Sequence, residues 1–439
     1  MKAETQKLRD ISEGIIQKVD EGILPTNSVY LAVNLVFDKI LGRAVLREGT
    51  TQLGSQIVDG KECLGLHEHI TTAGVKVPIA VFNDATNTNA DVYKYTSSAW
   101  SKAKEDVTQG VKMRFETFLN TTIGVNGTDK ISTADGSSWV TTGGNLDIGN
   151  MPAATLVKEW KDKIYCAGVS TNPDRLYFSS VPSAGVISWT VGNGYIDIEP
   201  EDGAGPIRAL AKVPGYLLII KERSVKRWDG SQTYPDDLIS IGTYSQECVV
   251  ETRQSCFYFN KRGIYETTGG YPRKISRKIQ GIIDAIPSSY YIKVSGWGDG
   301  ERVMYSIGDI TLGDLALTNC VVMYNIESQI WTLLSFPNEL KMWHHYVDAN
   351  GDEIILAGDD DGNVWQIFEG TDDGGTMITW LLQYQTQEFG SRGKIKDISK
   401  IISYGENIQS GLLSCKVNNR GSFIPCGGIH NSVEEITKD

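Results

Sequence analysis

The chain has 439 residues, of which 40% are hydrophobic and 22% charged, so wholesale disorder is excluded and a sizeable core is possible. Lysine and arginine total 42 against 54 acidic residues, and a net charge of −12 argues against a dedicated nucleic-acid grip, which needs a basic face. Seven scattered cysteines without a Cys-x-x-Cys pair argue against a disulfide framework and a zinc site.

The N-terminus has no features of a targeting segment. Residues 1–19 alternate charges around single apolar residues, which is unlike a secretory signal. No apolar run approaches the roughly 20 residues of a membrane span. We therefore expect synthesis in a reducing cytoplasm and no membrane span.

The first segment, residues 1–63, is expected to be an arm with the first strands. Its apolar residues at 8, 11, 15, 16 and 19 have helical spacing, which predicts a short amphipathic helix or a frayed terminal helix. Residues 24–27 (LPTN) break this pattern, and an extended segment follows through residue 54.

Residues 64–374 repeat one pattern of short apolar strands, tight Asp-Gly or Gly turns and a late aromatic residue. Examples are residues 217–220 (LLII) with 226–230 (KRWDG), and 256–259 (CFYF) with 263–265 (GIY). Strand groups recur roughly every 35 to 50 residues, as expected for four-stranded blades. The pattern predicts an all-β fold, a β-propeller of six or seven blades.

Two regions depart from this repeat. Residues 276–286 have helical spacing that Pro287 ends. After Gly374-Gly375, residues 377–387, 395–403 and 412–417 predict strands of a different sheet. We expect a small C-terminal β-sandwich-like or strand-exchange module over residues 375–439, with a polar tail.

Few motifs point to chemistry. Asp359, Asp361 and Asn363 form a weak calcium candidate, although the late acidic ligand of a calcium loop is missing and a solvated hairpin turn is favoured. His67 and His69 share a strand face and could pair on a metal, but no acidic or cysteine partner follows at suitable spacing. The sequence has no hydrolase, zincin, P-loop or Rossmann motif, so it predicts no enzyme and no cofactor.

Two basic clusters could contact a neighbouring subunit or DNA. One surrounds a strand and contains Lys221, Arg223, Lys226 and Arg227. The other precedes the helical segment and contains Arg273, Lys274, Arg277 and Lys278. The second is the better candidate because it lies where the repeat is interrupted. The alternative for both is solvated charge that protects strand edges from aggregation.

Three stretches resemble the propeller-bearing tail proteins of short-tailed bacteriophages, called nozzle, tail-hub or DNA-stabilisation proteins. They are residues 32–38 (AVNLVFD) with 42–50 (GRAVLREGT), residues 174–179 (DRLYFS) with 188–189 (SW), and residues 263–265 (GIY) with 275–280 (ISRKIQ) and 283–284 (ID). The likeness spans residues 24–400. Glu48 departs from it, since proline is expected there.

The resemblance implies a structural virion protein made in the host cytoplasm and located in the tail. A homohexameric ring would continue the DNA channel below the portal and adaptor, retain the genome and pass DNA without sequence-specific binding. The terminal segments would tie neighbouring subunits together. The alternatives are a host- or ligand-binding propeller module and, less favoured, a propeller glycosidase or lyase, which would need acids converging at the central pore.

Overall fold

In the computed structural model, residues 11–17, 25, 27–38, 42–348 and 350–384 are described, together with four strands between residues 400 and 437. Four short strands precede the first blade. They are β1 (Leu31–Val33), β2 (Leu35–Asp38), β3 (Arg43–Leu46) and β4 (Thr50–Gln52). β2 and β3 pair as an antiparallel hairpin.

Blades 1 to 4 follow in chain order, each an antiparallel meander. Blade 1 is β5 (Cys63–Ile70), β6 (Lys76–Asn83), β7 (Ala90–Thr96) and β8 (Ala99–Val107). Blade 2 is β9 (Arg114–Phe118), β10 (Thr121–Val125) and β11 (Lys130–Thr133), with a bridge from Ser132 to Val140 in the fourth position. Blade 3 is β12 (Leu156–Trp160), β13 (Lys163–Ala167), β14 (Arg175–Phe178) and β15 (Gly194–Asp197). Blade 4 is β16 (Ile207–Val213), β17 (Tyr216–Lys221), β18 (Val225–Trp228) and β19 (Asp236–Ile239).

Blades 5 to 7 complete the ring. Blade 5 is β20 (Val249–Glu251), β21 (Cys256–Asn260), β22 (Gly263–Thr267) and β23 (Arg273–Lys274). Blade 6 is β24 (Ser295–Gly298), β25 (Arg302–Leu312), β26 (Leu315–Asn325) and β27 (Ile330–Ser335). Blade 7 contains β28 (Met342–Val347), β29 (Glu353–Gly358) and β30 (Val364–Ile367).

The first strand of each blade contacts the first strand of the next, and β28 of blade 7 contacts β5 of blade 1. These contacts close a seven-bladed β-propeller, within the predicted range of six or seven blades. Each of the seven interfaces between blades holds its own buried apolar cluster. The alternating side chains of the strands therefore bury both faces of every blade.

Blade 7 is completed by a strand from before the propeller. β4 pairs antiparallel with β30, with Thr50 opposite Ile367 and Gln52 opposite Trp365. The predicted division at residue 63 is thus wrong for residues 50–52, which belong to the propeller. The pairing joins segments more than 300 residues apart, so no local pattern could reveal it.

Blade 6 is widened by one strand from before blade 1 and one from after blade 7. β1 lies parallel to β27, with Val33 opposite Leu333, and pairs antiparallel with β31 (Leu381–Gln383). The strand predicted over residues 377–387 is therefore three residues long within 377–384, the part that the structure describes, and extends blade 6 instead of starting a separate sheet.

Beyond β31, the described backbone forms two antiparallel pairs. β32 (Lys400–Ser403) pairs with β35 (Glu434–Thr437), and β33 (Gly411–Cys415) pairs with β34 (Ile424–Ile429). Strands near residues 400 and 412 are as predicted, and the sandwich-like module stays a prediction.

The N-terminal arm is extended where it is described. Ile15 bridges Val29 in parallel, so residues 11–17 do not form the predicted helix. Within the described part of the arm, Ile11, Ile15 and Ile16 are nevertheless buried, and Ile11 and Ile15 join the cluster between blades 5 and 6. The arm's backbone amides at Glu13 and Ile16 donate instead to the carbonyls of Asn27 and Val29, each at 3.0 Å.

The segment predicted to be helical before Pro287 is helical, and the N-terminal arm packs against it. A 3-10 turn at Ser276–Ile279 continues into α1 (Gln280–Asp284), and a second 3-10 turn follows at Ser288–Tyr290. A further short 3-10 turn, Gln246–Cys248, precedes β20. Ile279 and Ile282 pack in the same cluster as Ile15.

A buried arginine connects the segment before blade 1 with the segment after blade 7. The Arg47 guanidinium donates to both carboxylate oxygens of Asp373, at 2.8 and 2.5 Å, and its Nε donates to Asn34 Oδ1 at 3.0 Å. It also donates to the carbonyls of Glu48 and Ser335, each at 2.9 Å. These contacts, which we call the Arg47 cluster, use all five guanidinium donors.

We predict that Arg47→Ala destabilises the protein by roughly 3–5 kcal/mol, because removing one partner leaves the Asp373 carboxylate buried without compensation. Urea unfolding followed by tryptophan fluorescence measures the change. The matched control is Arg43→Ala, since the Arg43 side chain is 60% exposed and 4.0 Å from Asp38. A similar loss in both variants would contradict a specific role for Arg47.

Candidate functional site

The centre of the propeller is crossed by ion pairs between blades. Lys158 Nζ on β12 lies 3.4 Å from Glu116 Oε2 on β9 and 3.0 Å from Glu251 Oε2 on β20. Lys212 Nζ on β16 lies 3.1 Å from Glu159 Oε2. These five residues, the channel cluster, link blades 2, 3, 4 and 5.

Burial and charge compensation have opposite effects on the pKa values of the channel cluster. Burial by itself would lower the pKa of Lys158, but the carboxylates of Glu116 and Glu251 outweigh it and raise that pKa. At Glu116, burial has the larger effect and raises the pKa in spite of Lys158 and Lys212. Glu251 Oε1 is buried without a hydrogen-bond partner. Lys158, held charged between two carboxylates, is therefore the centre of the cluster.

A second ionic contact spans blades 2 and 5. Glu247, in the turn before β20, accepts hydrogen bonds from Arg114 Nε at 2.7 Å and Nη2 at 3.0 Å. Lys112 Nζ lies 3.6 Å from the same carboxylate. Burial would raise the pKa of Glu247, but the charges of Arg114 and Lys112 outweigh it and hold this pKa well below its usual range.

The histidines expected to share a strand face are hydrogen-bonded separately. His67 Nε2 lies 2.8 Å from Thr117 Oγ1, and His69 Nδ1 lies 2.9 Å from Thr122 Oγ1. The ring of His67 instead lies 5.0 Å from that of His344 in blade 7. Burial lowers the pKa of both, to about 4 for His344, so these rings are neutral at pH 7.

The weak calcium candidate forms a hairpin turn. Asp359 Oδ1 accepts hydrogen bonds from the backbone amides of Asp361 and Asn363, and its Oδ2 accepts from Asn338, Asn363 and Trp365 side chains. These N–H donors occupy the positions that a cation would need. Within the described residues, no group of three or more His, Cys, Asp or Glu side chains is placed to hold a metal.

Three of the four predicted contact residues line one surface groove. An open groove of about 540 Å³ lies between the outer edges of blades 4 and 5 and is lined by Arg273, Lys274 and Arg277. We call it the Tyr271 groove, after a tyrosine that also lines it and is 76% exposed. The basic residues chosen from sequence are thus brought together, and the aromatic beside them was missed.

Lys278 has a different role from its neighbours. Its Nζ lies 2.7 Å from Glu13 Oε2, and its carbonyl accepts the Gln17 amide at 2.8 Å. It therefore holds the N-terminal arm of its own chain.

The other basic cluster is largely buried. Lys221 and Lys226 are 0% and 1% exposed. Lys221 Nζ lies 2.8 Å from Asp202, and Lys226 Nζ lies 2.5 Å from Glu199 and 2.6 Å from Asp237. For these two lysines the expectation of solvated or contacting charge is wrong, because the turn after blade 3 supplies acidic partners to both and Asp237 of blade 4 supplies a further one to Lys226.

Comparison with known proteins gives only distant structural similarities. No protein-family model and no curated protein matches the chain. Three solved structures are similar to it. YCF48 bound to a D1 peptide has 12% identity and a TM-score of 0.42, covering 71% of this chain and 94% of YCF48. PorZ of Porphyromonas gingivalis has 10% identity and a TM-score of 0.44, covering 85% of this chain and 46% of PorZ. The AfRom2 CNH domain has 10% identity and a TM-score of 0.45, covering 73% of this chain and 99% of that domain.

These likenesses are too distant to carry an argument about partners or activity. The propeller is established by the strand pairing and ring closure of the chain itself.

We predict that Glu247→Gln lowers stability at pH 7 by roughly 3–5 kcal/mol, since Arg114 loses its buried carboxylate partner. Because the pKa of Glu247 is lower in the folded protein than in the unfolded chain, where it is near 4.5, its ionised carboxylate stabilises the fold above pH 4.5. This stabilisation is lost as the pH falls below that value. The difference between variant and wild type should therefore shrink below about pH 4.5. Urea unfolding at several pH values measures it, with exposed Glu327→Gln as the control. A difference that does not change with pH would contradict the assignment.

Proposed function

We propose that this chain is a structural virion protein of a bacteriophage tail. Its propeller would form part of the wall of a nozzle or hub ring, favoured as a homohexamer, below the portal and adaptor. The ring would retain the packaged genome and pass DNA during ejection. The protein would be made in the host cytoplasm and end in the tail.

The observation that carries this proposal is the ionic closure of the propeller centre. Lys158 reaches carboxylates from two other blades, at 3.4 and 3.0 Å, and Arg114 of blade 2 reaches the Glu247 carboxylate before blade 5 at 2.7 Å. The charged groups at the centre are engaged with each other, which suits a rigid building block that acts through its outer surface. In such a ring, DNA would pass beside each propeller and not through it.

Residues in the stretches that resemble tail proteins make hydrogen bonds that stabilise this fold. Asn34 and Arg47 belong to the first stretch and form the Arg47 cluster. Ser276 belongs to the last stretch, and its hydroxyl accepts the Ile264 amide at 2.9 Å. Two of the three stretches thus lie where the arm attaches to blades 5 and 6, which supports a shared architecture.

Charge also fits a conduit. With a net charge of −12, the protein would repel phosphate over much of its surface, so DNA could slide past without sticking. No described helix is long and apolar enough to cross a membrane. We also propose that the protein is not an enzyme, since the acids at the centre are paired with lysines and arginines.

A second candidate is a propeller that binds a host or ligand. The Tyr271 groove favours it, because an exposed tyrosine beside arginines is a common recognition surface. The two candidates differ in where the protein is found.

We predict that gold-conjugated antibody against the full chain labels particles from the source culture at one vertex, on the tail. Negative-stain electron microscopy gives the position, and pre-immune serum is the control. Unlabelled particles, with the protein free in the lysate, would contradict the tail role and favour the ligand-binding candidate.

A further inference from the structure

The Tyr271 groove combines exposed cations, an exposed aromatic ring and an apolar lining. Arg277 is exposed, and the Arg273 side chain is 63% exposed although it pairs with Glu266 at 2.7 Å. Ile239 and Tyr265 contribute to the lining. A fitting partner therefore presents carboxylates together with an aliphatic or aromatic side chain.

The size and charge of the groove favour a protein partner over nucleic acid. About 540 Å³ seats a few side chains, and among the described residues three basic ones line the groove. Nucleic-acid affinity grows with the number of phosphates neutralised, and the net charge of −12 opposes it. A short acidic segment of a protein needs only one or two such ion pairs.

The outer edge of blade 3 offers this chemistry on the same chain. Val191 is 74% exposed and Tyr195 is 56% exposed. Beyond β15 follows an acidic turn in which Glu201 is exposed, whereas Glu199 and Asp202 pair with Lys226 and Lys221 of the same chain. The two surfaces are complementary in charge, and both expose apolar side chains that water solvates poorly.

We propose that the Tyr271 groove of one copy binds the blade 3 edge of a second copy of this chain. Two different surfaces meet, so the contact is heterologous and repeats from copy to copy, generating a ring or a filament. The inference gives the proposed ring a specific contact, and it holds for self-association with or without a tail role.

Two charge reversals test the contact on the purified full chain. Arg277→Glu alters the groove, and Glu201→Lys alters the blade 3 edge. Sedimentation velocity over a range of protein and NaCl concentrations should show salt-sensitive self-association of the wild type. Either variant should weaken it by about tenfold or more, which corresponds to 1.4 kcal/mol. Arg253→Glu and Glu327→Lys make the same charge changes at exposed sites elsewhere and should associate like the wild type.

Mixing the two variants gives the sharper result. Arg277→Glu retains a normal edge and Glu201→Lys a normal groove, and the two reversed charges are again opposite in sign, so an equimolar mixture should recover the self-association that each variant alone has lost. Equal urea midpoints for all variants would show that folding is unchanged. A monomeric wild type, an unaffected Arg277→Glu variant or a mixture that stays monomeric would each overturn the inference.

A binding experiment with single-stranded DNA distinguishes a protein partner from a nucleic-acid partner. Fluorescein-labelled oligo(dT) should not bind the wild type, and binding that Arg277→Glu abolishes would overturn the inference in favour of a nucleic-acid groove. Failure here leaves tail labelling unaffected. Conversely, a self-association that depends on Arg277 in a protein absent from particles would refute only the tail role.

Discussion

The pairing of β4 with β30 is the contact on which the rest of the fold depends. A row of blades has two free edges until its last blade is completed, and here the missing strand comes from the N-terminal segment. Once the ring closes, each blade has a neighbour on both sides and the seven apolar interfaces are complete. Arg47 secures this closure because it lies just before β4 and binds Asp373 beyond blade 7.

Closure also creates the electrostatic centre. Glu116, Lys158 and Glu251 come from blades 2, 3 and 5 and meet only because the first strands converge on the axis. Buried charges are costly unless paired, so a partly closed ring would leave these groups destabilising. The channel cluster thus favours one arrangement of blades over looser alternatives, in addition to any stability that it contributes.

The centre of the propeller and its outer surface differ in how their side chains are engaged. The centre is occupied by mutually engaged charges, whereas the outer surface carries exposed aromatic side chains such as Tyr271 and Tyr195. Both the tail-ring proposal and the contact between copies follow from this division, and neither requires a ligand in the channel.

Local patterns in the sequence determined much of the architecture. Alternating strands and glycine turns predicted the propeller, helical spacing predicted the segment that became α1, and clustered cations indicated Arg273, Lys274 and Arg277, which line one groove. These signals are local because side-chain direction repeats every two residues in a strand and every 3.6 in a helix.

Tertiary structure decided what depends on distant partners. The arm has a helical pattern, yet Ile15 bridges Val29 because an adjacent strand and an apolar cleft were available. Lys221 is buried because Asp202 of a preceding turn reaches it. The channel cluster joins residues as far apart as Glu116 and Glu251. The spacing of residues within one strand does not indicate which blade will lie opposite that strand. The opposite blade is determined only when the ring of blades closes.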